Sequence, residues 1–325
     1  MTLILTRSDI AGLLDRRAVR HAVEAAHAAL ATGHVQNPAP QAITLPHNGS
    51  AIPMTAADEH GVTVKLLADL PANRARGLPT QRSTIIVTSA VTGECVAVLD
   101  GRAITAVRTA AASAVATDYL ARQDASVLGL VGAGNLAIEH AHAIADVRRI
   151  RKIVLWSRTT DTVATFRAGT ESLGITTEFA ESPESVVERS DIVCTLTPSR
   201  DPIVSGHWFR PGQHINAIGA PPRPDHREID AAGMRRARLV VDHHPTVMAK
   251  SGAVLQAIAE HAITADDART ELGHVINNRA LGRHDDTCIT LFESVGLGLQ
   301  DLATTQLVLT EAIEHNIGHA IDLTN

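Results

Sequence analysis

The sequence predicts an α/β protein, β-rich in its first third and doubly wound around a parallel sheet after that. Three observations carry this. Short apolar runs between turn clusters fill residues 41–99, and from Val127 onward apolar runs of strand length alternate with helical stretches. A glycine turn joins the first of those later runs to its helix. At 325 residues and 34.4 kDa the chain suits two domains rather than one compact core.

Taken in order, the first thirty residues read as helix. Asp15 caps a segment in which Val19, Val23, Ala26 and Leu30 recur at helical spacing, and Gly33 ends it. Five β-rich runs follow: Ala42–Leu45, Ala51–Thr55, Val62–Leu67, Thr84–Thr88 and Cys95–Leu99. Turn clusters such as His47-Asn48-Gly49 and Thr92-Gly93-Glu94 separate them, as in an antiparallel or mixed sheet. An Ala-rich helix covers about Arg102 to Arg122. Next come the strand Val127–Val131, the helix Leu136–Val147 and the strand Ile153–Trp156. Ile192–Thr195, His214–Ile218 and Leu239–Val241 repeat the buried-strand signature, and alternation of this kind means a parallel sheet with helices on both faces. A final amphipathic helix spans about Gly298–Gly318.

Composition excludes several classes of function. Hydrophobic residues at 45% and charged residues at 20% are globular proportions. A net charge of −6, a pI near 6.3 and only four Phe, two Trp and one Tyr argue against a nucleic-acid partner. No apolar run reaches the ~18 residues of a membrane span, and the N-terminus lacks a signal layout. A soluble, cytoplasmic protein with no membrane partner is expected. Cys95, Cys194 and Cys288 show no C-x-x-C spacing, which excludes a zinc knuckle. Seventeen histidines invite a metal reading, yet His140-Ala141-His142 and His243-His244 lack the i, i+4 spacing that puts two imidazoles on one helix face. No metal site is assigned.

The segment Val127 to Ala137 reads strand, glycine turn, helix, with the spacing G-x-G-x-x-A. Gly132 permits the tight turn, Gly134 lets backbone approach a pyrophosphate, and Ala137 allows close helix–strand packing. The helix opening at Asn135 and Leu136 then offers unpaired N–H groups to phosphate. A second strand ending about twenty residues on makes this a dinucleotide site. Where an NAD-selective site carries Asp or Glu, the chain reads Ser157-Arg158-Thr159. A hydroxyl followed by a guanidinium suits a 2′-phosphate, so NADP(H) is favoured, with NAD(H) as the alternative.

Positive charge rests on 26 Arg and three Lys, namely Lys65, Lys152 and Lys250. Lys65 sits mid-strand in Val62-Thr63-Val64-Lys65-Leu66-Leu67. A buried ammonium is costly unless it meets an anion, and a lysine can shift its pKa and handle protons, so Lys65 is a catalytic candidate. The bland alternative is an edge-strand lysine pointing into water.

Further motifs follow: Gly77-Leu78-Pro79-Thr80, Leu99-Asp100-Gly101, Arg108-Thr109-Ala110-Ala111, His214 to Ala220, Glu271-Leu272-Gly273 and Leu291 to Gly296. With the Lys65 strand and the glycine turn, this collinear set resembles the ornithine cyclodeaminase/μ-crystallin family over essentially the whole chain. The resemblance implies a Rossmann domain, residues 111–298, inserted in a mixed α+β substrate-binding and dimerisation domain, residues 1–110 plus 299–325. It implies a homodimer acting on a small amino or imino acid. It places Lys65 and Arg108 at the substrate carboxylate and reacting carbon. Thr80 and Arg108 would approach the cofactor, Ala217, Ile218, Gly219 and Ser294 would line the nicotinamide side with Thr195, and Val295 would touch substrate.

Two departures from the family pattern matter. Gln41 stands where an arginine commonly anchors the carboxylate, and the usual M-P-A reads Met54-Thr55-Ala56. Past the N-A-x-G turn, proline replaces the aspartate of cyclodeaminases, and Asp225 comes several residues later. The expected activity is therefore NAD(P)H-dependent interconversion of a 2-imino acid and an amino acid. The alternatives are a cyclodeaminase that recycles bound NAD⁺, and a crystallin-type NADPH-dependent ligand binder without catalysis.

Overall fold

The computed structural model describes residues 1–159 and 161–323, and the chain divides into two compact units. The first comprises Met1–Arg108 with Leu297–Asn325, the second Thr109–Gly296. Both divisions fall two residues earlier than the expected 110/111 and 298/299, and residues 324 and 325 of the expected domain lie outside the described residues.

The first unit holds a mixed seven-stranded sheet. Its strands are β1 (Thr2–Leu5), β2 (Ile43–Leu45), β3 (Gly49–Ala57), β4 (Gly61–Asp69), β5 (Gln81–Ser89), β6 (Cys95–Asp100) and, near the other terminus, β14 (His319–Ile321), in the order β14-β1-β6-β5-β4-β3-β2. Among the described residues of this sheet, only β1 and β6 pair in parallel. Helices Arg16–Ala31 and Gly298–Glu314 pack on each other, and Gly298–Glu314 also packs on β3 and β4. Period-two alternation decides which side chains they cover: Ile52, Met54 and Ala56 of β3, Lys65 and Leu67 of β4, and Ile85 and Val87 of β5 are buried.

Two expectations at the chain ends are corrected. The first thirty residues are not one helix: β1 precedes a short helix, Arg7–Ala11, and only then does the Asp15-capped helix Arg16–Ala31 begin. The apolar Thr2–Leu5 run is drawn into strand by long-range pairing with β6 and β14, which local periodicity cannot reveal. The last helix stops at Glu314 instead of near Gly318, releasing His319–Ile321 to pair with β1.

The second unit is an all-parallel seven-stranded sheet. Its strands are β7 (Val127–Val131), β8 (Lys152–Trp156), β9 (Thr176–Phe179), β10 (Ile192–Thr195), β11 (His214–Ala217), β12 (Arg238–Val241) and β13 (Thr290–Glu293), in the order β12-β13-β11-β10-β7-β8-β9. From β7 the chain winds outward through β8 and β9, then returns to β10 on the other side, so the switch point lies between β7 and β10. Ligands of open parallel sheets sit at such a point, beyond the carboxyl ends of the strands. Apolar clusters pack against the sheet, one including Leu128, Ile144, Ile153 and Phe166, another Val193, Ile215, Val241 and Val254.

Candidate functional site

In the first unit the structure brings Lys65 and Arg108 to one carboxylate. Lys65 is on the helix-covered face of β4, fully buried, with Met54 and Ile85 as its cross-strand neighbours. Asp301, in the first turn of the Gly298–Glu314 helix, is equally buried. Its Oδ2 lies 2.7 Å from Lys65 Nζ, and its Oδ1 accepts from Arg108 Nε at 3.1 Å. Arg108 Nη1 donates to Gln300 Oε1 at 2.6 Å, and the Gln300 amide nitrogen meets His27 Nε2 at 3.1 Å. Two of the three guanidinium nitrogens are thereby fixed, which sets the plane in which Nη2 is presented.

The Lys65–Asp301 contact is an ion pair without hydrogen-bond alignment: neither Lys65 Nζ nor Asp301 Oδ2 has a well-directed partner. The hydroxyls of Thr63, two residues before Lys65 on the same strand face, and Thr305, one turn after Asp301, are buried without partners too. Buried polar groups are normally satisfied, so each such atom is suited to a polar ligand or ordered water. Burial, and then the Arg108 charge, pull the Lys65 pKa down to about 8 against the opposing pull of Asp301. An ammonium that titrates there can both give and take a proton near neutrality. Gln41 and Thr80 are exposed and stand outside this buried group.

In the second unit the glycine turn takes the form that dinucleotide phosphates need. Gly132 has φ +118°, and a Cβ there would press to 3.0 Å from the Leu196 carbonyl oxygen. At Gly134 a Cβ would meet nothing within 4 Å, so the backbone borders open space. Gly134 is also the N-cap of Asn135–Val147 and supplies no side-chain cap, which leaves the first N–H groups for an anion. These residues fit a pyrophosphate. Just past β8, Ser157 Oγ is 3.2 Å from Thr162 Oγ1, while Arg158 and Thr159 are exposed. Arg158 forms no ion pair among the described residues.

Two residues expected at the cofactor, Thr195 and Ser294, are buried and bonded within the protein through their hydroxyls. Thr195 Oγ1 donates to Glu228 at 2.8 Å, and Ser294 Oγ to Asp242 at 2.8 Å, because each meets a buried carboxylate that accepts from its loop. Asp242 Oδ2 also takes the Val295 and Gly296 amides, both at 2.9 Å. Burial first, opposed by these bonds, pushes Asp242 up to about 6. Burial raises Glu293 to about 8 despite the Ser251 hydroxyl, with the Asp242 and Glu228 charges adding to the rise. Ala217 and Ile218 are buried at the end of β11, and Val295 is half-buried. Asp225 is occupied elsewhere: His226 Nδ1 lies 2.9 Å and Arg200 Nη2 3.0 Å from its carboxylate. Among the described residues, no group of three His, Cys, Asp or Glu is placed to hold a metal ion.

Sequence reading missed Asp301, Gln300, Glu228 and Asp242. A signal existed for Asp301: it stands in a run, Leu297 to Ala303, that is otherwise uncharged and turns out wholly buried.

Comparison with protein families matches residues 1–316 to the ornithine cyclodeaminase/mu-crystallin family. The chain belongs to this family. Among its members, the alanine dehydrogenase of Archaeoglobus fulgidus is 33% identical over 321 residues, 98% of each chain. The structure of Thermococcus litoralis Δ1-pyrroline-2-carboxylate reductase in complex with NADH and L-proline superposes with a TM-score of 0.95 at 34% identity, covering 98% of this chain and 100% of that one. An archaeal alanine dehydrogenase dimer with bound NAD gives a TM-score of 0.93 at 32% identity, over 99% of both chains. The fold of this family member is therefore the α/β one expected, with a Rossmann-like region. No helix among its described residues is long and apolar enough to cross a membrane.

Proposed function

We propose that the protein is an NAD(P)H-dependent oxidoreductase that interconverts a small 2-imino acid, open or cyclic, and the corresponding amino acid at Cα. The observation that carries this is the buried Lys65 ammonium, ion-paired yet without an aligned hydrogen bond, in a chain that also builds a phosphate cradle at Gly132–Asn135. The dinucleotide supplies the hydride when bound. The rest falls to the chain's own groups. Arg108, its plane fixed by Asp301 and Gln300, anchors the substrate carboxylate and so orients Cα. Lys65 gives a proton to the substrate nitrogen in reduction and takes it back in oxidation. Relatives that act on alanine and pyrroline-2-carboxylate support a small substrate. The test is a screen of 2-oxo acids with ammonia or methylamine, and of cyclic imino acids, following oxidation of NADPH and NADH. Cofactor binding with no oxidation by any of them would favour the non-catalytic binder. Cyclodeamination is disfavoured because Asp225 is held by Arg200 and His226. A diamino acid without added cofactor should not turn over.

NADPH is preferred over NADH in this reading, because Arg158 is a free cation where an acidic ribose ligand is lacking. Arg158→Ala should weaken NADPH roughly ten- to a hundred-fold, the worth of a charge-assisted hydrogen bond to phosphate, and leave NADH almost unchanged. Titration of both cofactors decides it, and equal losses would sink the preference.

The working unit is a homodimer joined through the sheet face that the helices leave uncovered. That face carries Pro53, Val62, Val64, Leu66, Ile86 and Val98, with Leu66 48% and Ile86 43% exposed. An apolar patch of this kind on a central sheet suits a second copy of itself. Sedimentation should find a dimer at micromolar concentration, and Leu66→Lys should shift it towards monomer. A monomeric parent chain would refute the assignment. Cys95, Cys194 and Cys288 are free thiols, which suits a reducing, cytoplasmic setting.

A further inference from the structure

The loops that leave β10 and β11 converge on one buried carboxylate. Glu228 is 2% exposed and accepts four hydrogen bonds. Oε1 takes the Thr197 amide at 2.6 Å and its hydroxyl at 2.7 Å; Oε2 takes the Thr195 hydroxyl at 2.8 Å and the Gly219 amide at 2.7 Å. The two loops close tightly: a Cβ at Gly219 would lie 2.1 Å from the Thr197 nitrogen, so no other residue fits. On its far side the Thr195–Thr197 segment abuts the phosphate turn, where Gly132 approaches the Leu196 carbonyl.

We propose that Glu228 is a positioning residue of the cofactor site, the internal staple that sets the β10 and β11 loops to receive the nicotinamide half of the dinucleotide. This rests on the cofactor reading above. A dinucleotide spans the switch point of a doubly wound sheet. With Ser157 to Thr159 past β8 on the adenine-ribose side, the β10 and β11 loops fall to the nicotinamide half. Glu228 reaches no ligand itself and acts through Thr195, Thr197 and Gly219. The group must be a carboxylate. Each oxygen faces one backbone N–H, which can only donate, so a glutamine amide would set its –NH₂ against an N–H in either orientation.

The test compares Glu228→Gln with the parent chain, titrating NADPH, NADH and, as a probe of the adenine half, 2′-phospho-ADP-ribose. The variant should bind both dinucleotides about tenfold more weakly or worse, while the adenine-half probe changes by less than about twofold. The KM for cofactor should rise more than kcat falls. A role in fold stability alone would lower the melting temperature and leave the ratio between dinucleotide and probe affinities unmoved. Unchanged dinucleotide affinity, or equal losses for dinucleotide and probe, overturns the proposal. If Glu228→Gln does not fold, Thr197→Val removes one of the four donors and should still cost about threefold for the dinucleotides alone; no such loss overturns it equally. A parent chain that binds no dinucleotide brings down the cofactor reading itself, and this proposal with it.

Discussion

Lys65→Met should leave the chain folded and reduce turnover by about 10²–10⁴, the usual share of a positioned acid–base group. Methionine fills nearly the same volume, and Asp301 keeps its hydrogen bond from Arg108 Nε, so no carboxylate is left without a cation. What disappears is the proton that the substrate nitrogen must receive. Lys65→Arg should not restore it, since a guanidinium holds its proton throughout the working range. The pH profile gives a second reading of the same group. Burial holds the free-enzyme Lys65 near pH 8, so kcat/KM for imine reduction should fall as pH rises through about 8, when the donor loses its proton. That limb should be absent from the residual activity of Lys65→Met. A variant that keeps most of its turnover would make Lys65 a structural ion-pair partner and nothing more.

The parts of the molecule that were legible beforehand share a property: their signal is local. Val127–Val131 and Ile192–Thr195 are read to the residue because a strand buried on both faces is a continuous apolar run closed by turn residues. The glycine turn is legible because each small residue in it answers one steric demand. The terminal strands were not, since β1 and β14 exist only through pairing with each other and with β6, across almost the whole chain. Thr176–Phe179 and Thr290–Glu293 hide for a similar reason: polar Thr and Glu interrupt the apolar run, and strand identity comes from their neighbours in the sheet. At the candidate site the chemistry of Lys65 was readable from the cost of burying an ammonium, but its counter-ion was not. Asp301 lies 236 positions away by number and meets Lys65 only once the last helix packs on β3 and β4. Glu228 and Asp242 escape for the converse reason. Acidic residues beside loops are common, and what distinguishes these two is the set of amides converging on them.

Asp301→Asn should destabilise the fold by about 3–5 kcal/mol, the cost of breaking a buried charge pair from one side. The reason is arithmetic of charge: at pH 7 the substitution leaves two buried cations, Lys65 and Arg108, facing a neutral amide. Lys65 has an escape that Arg108 lacks, because it can lose its proton. The penalty should therefore depend on pH with a definite sign. Asp301 raises the folded-state pKa of Lys65 against burial, so that part of its contribution is present below about pH 8 and is lost as pH rises through that value. Chemical denaturation of parent and variant should show a gap that is widest at mildly acidic pH, narrows as pH rises towards 8, and above 8 is down to the share owed to Arg108. A coupled substitution sharpens the test. Adding Lys65→Met to Asp301→Asn removes one stranded cation, so the double variant should be more stable than Asp301→Asn alone, with an interaction energy of about 1–3 kcal/mol. Additive losses, or a single variant as stable as the parent at pH 7, would mean that the carboxylate between the two cations does not hold them in place, and the geometry assigned to Arg108 as the substrate anchor would lose its support.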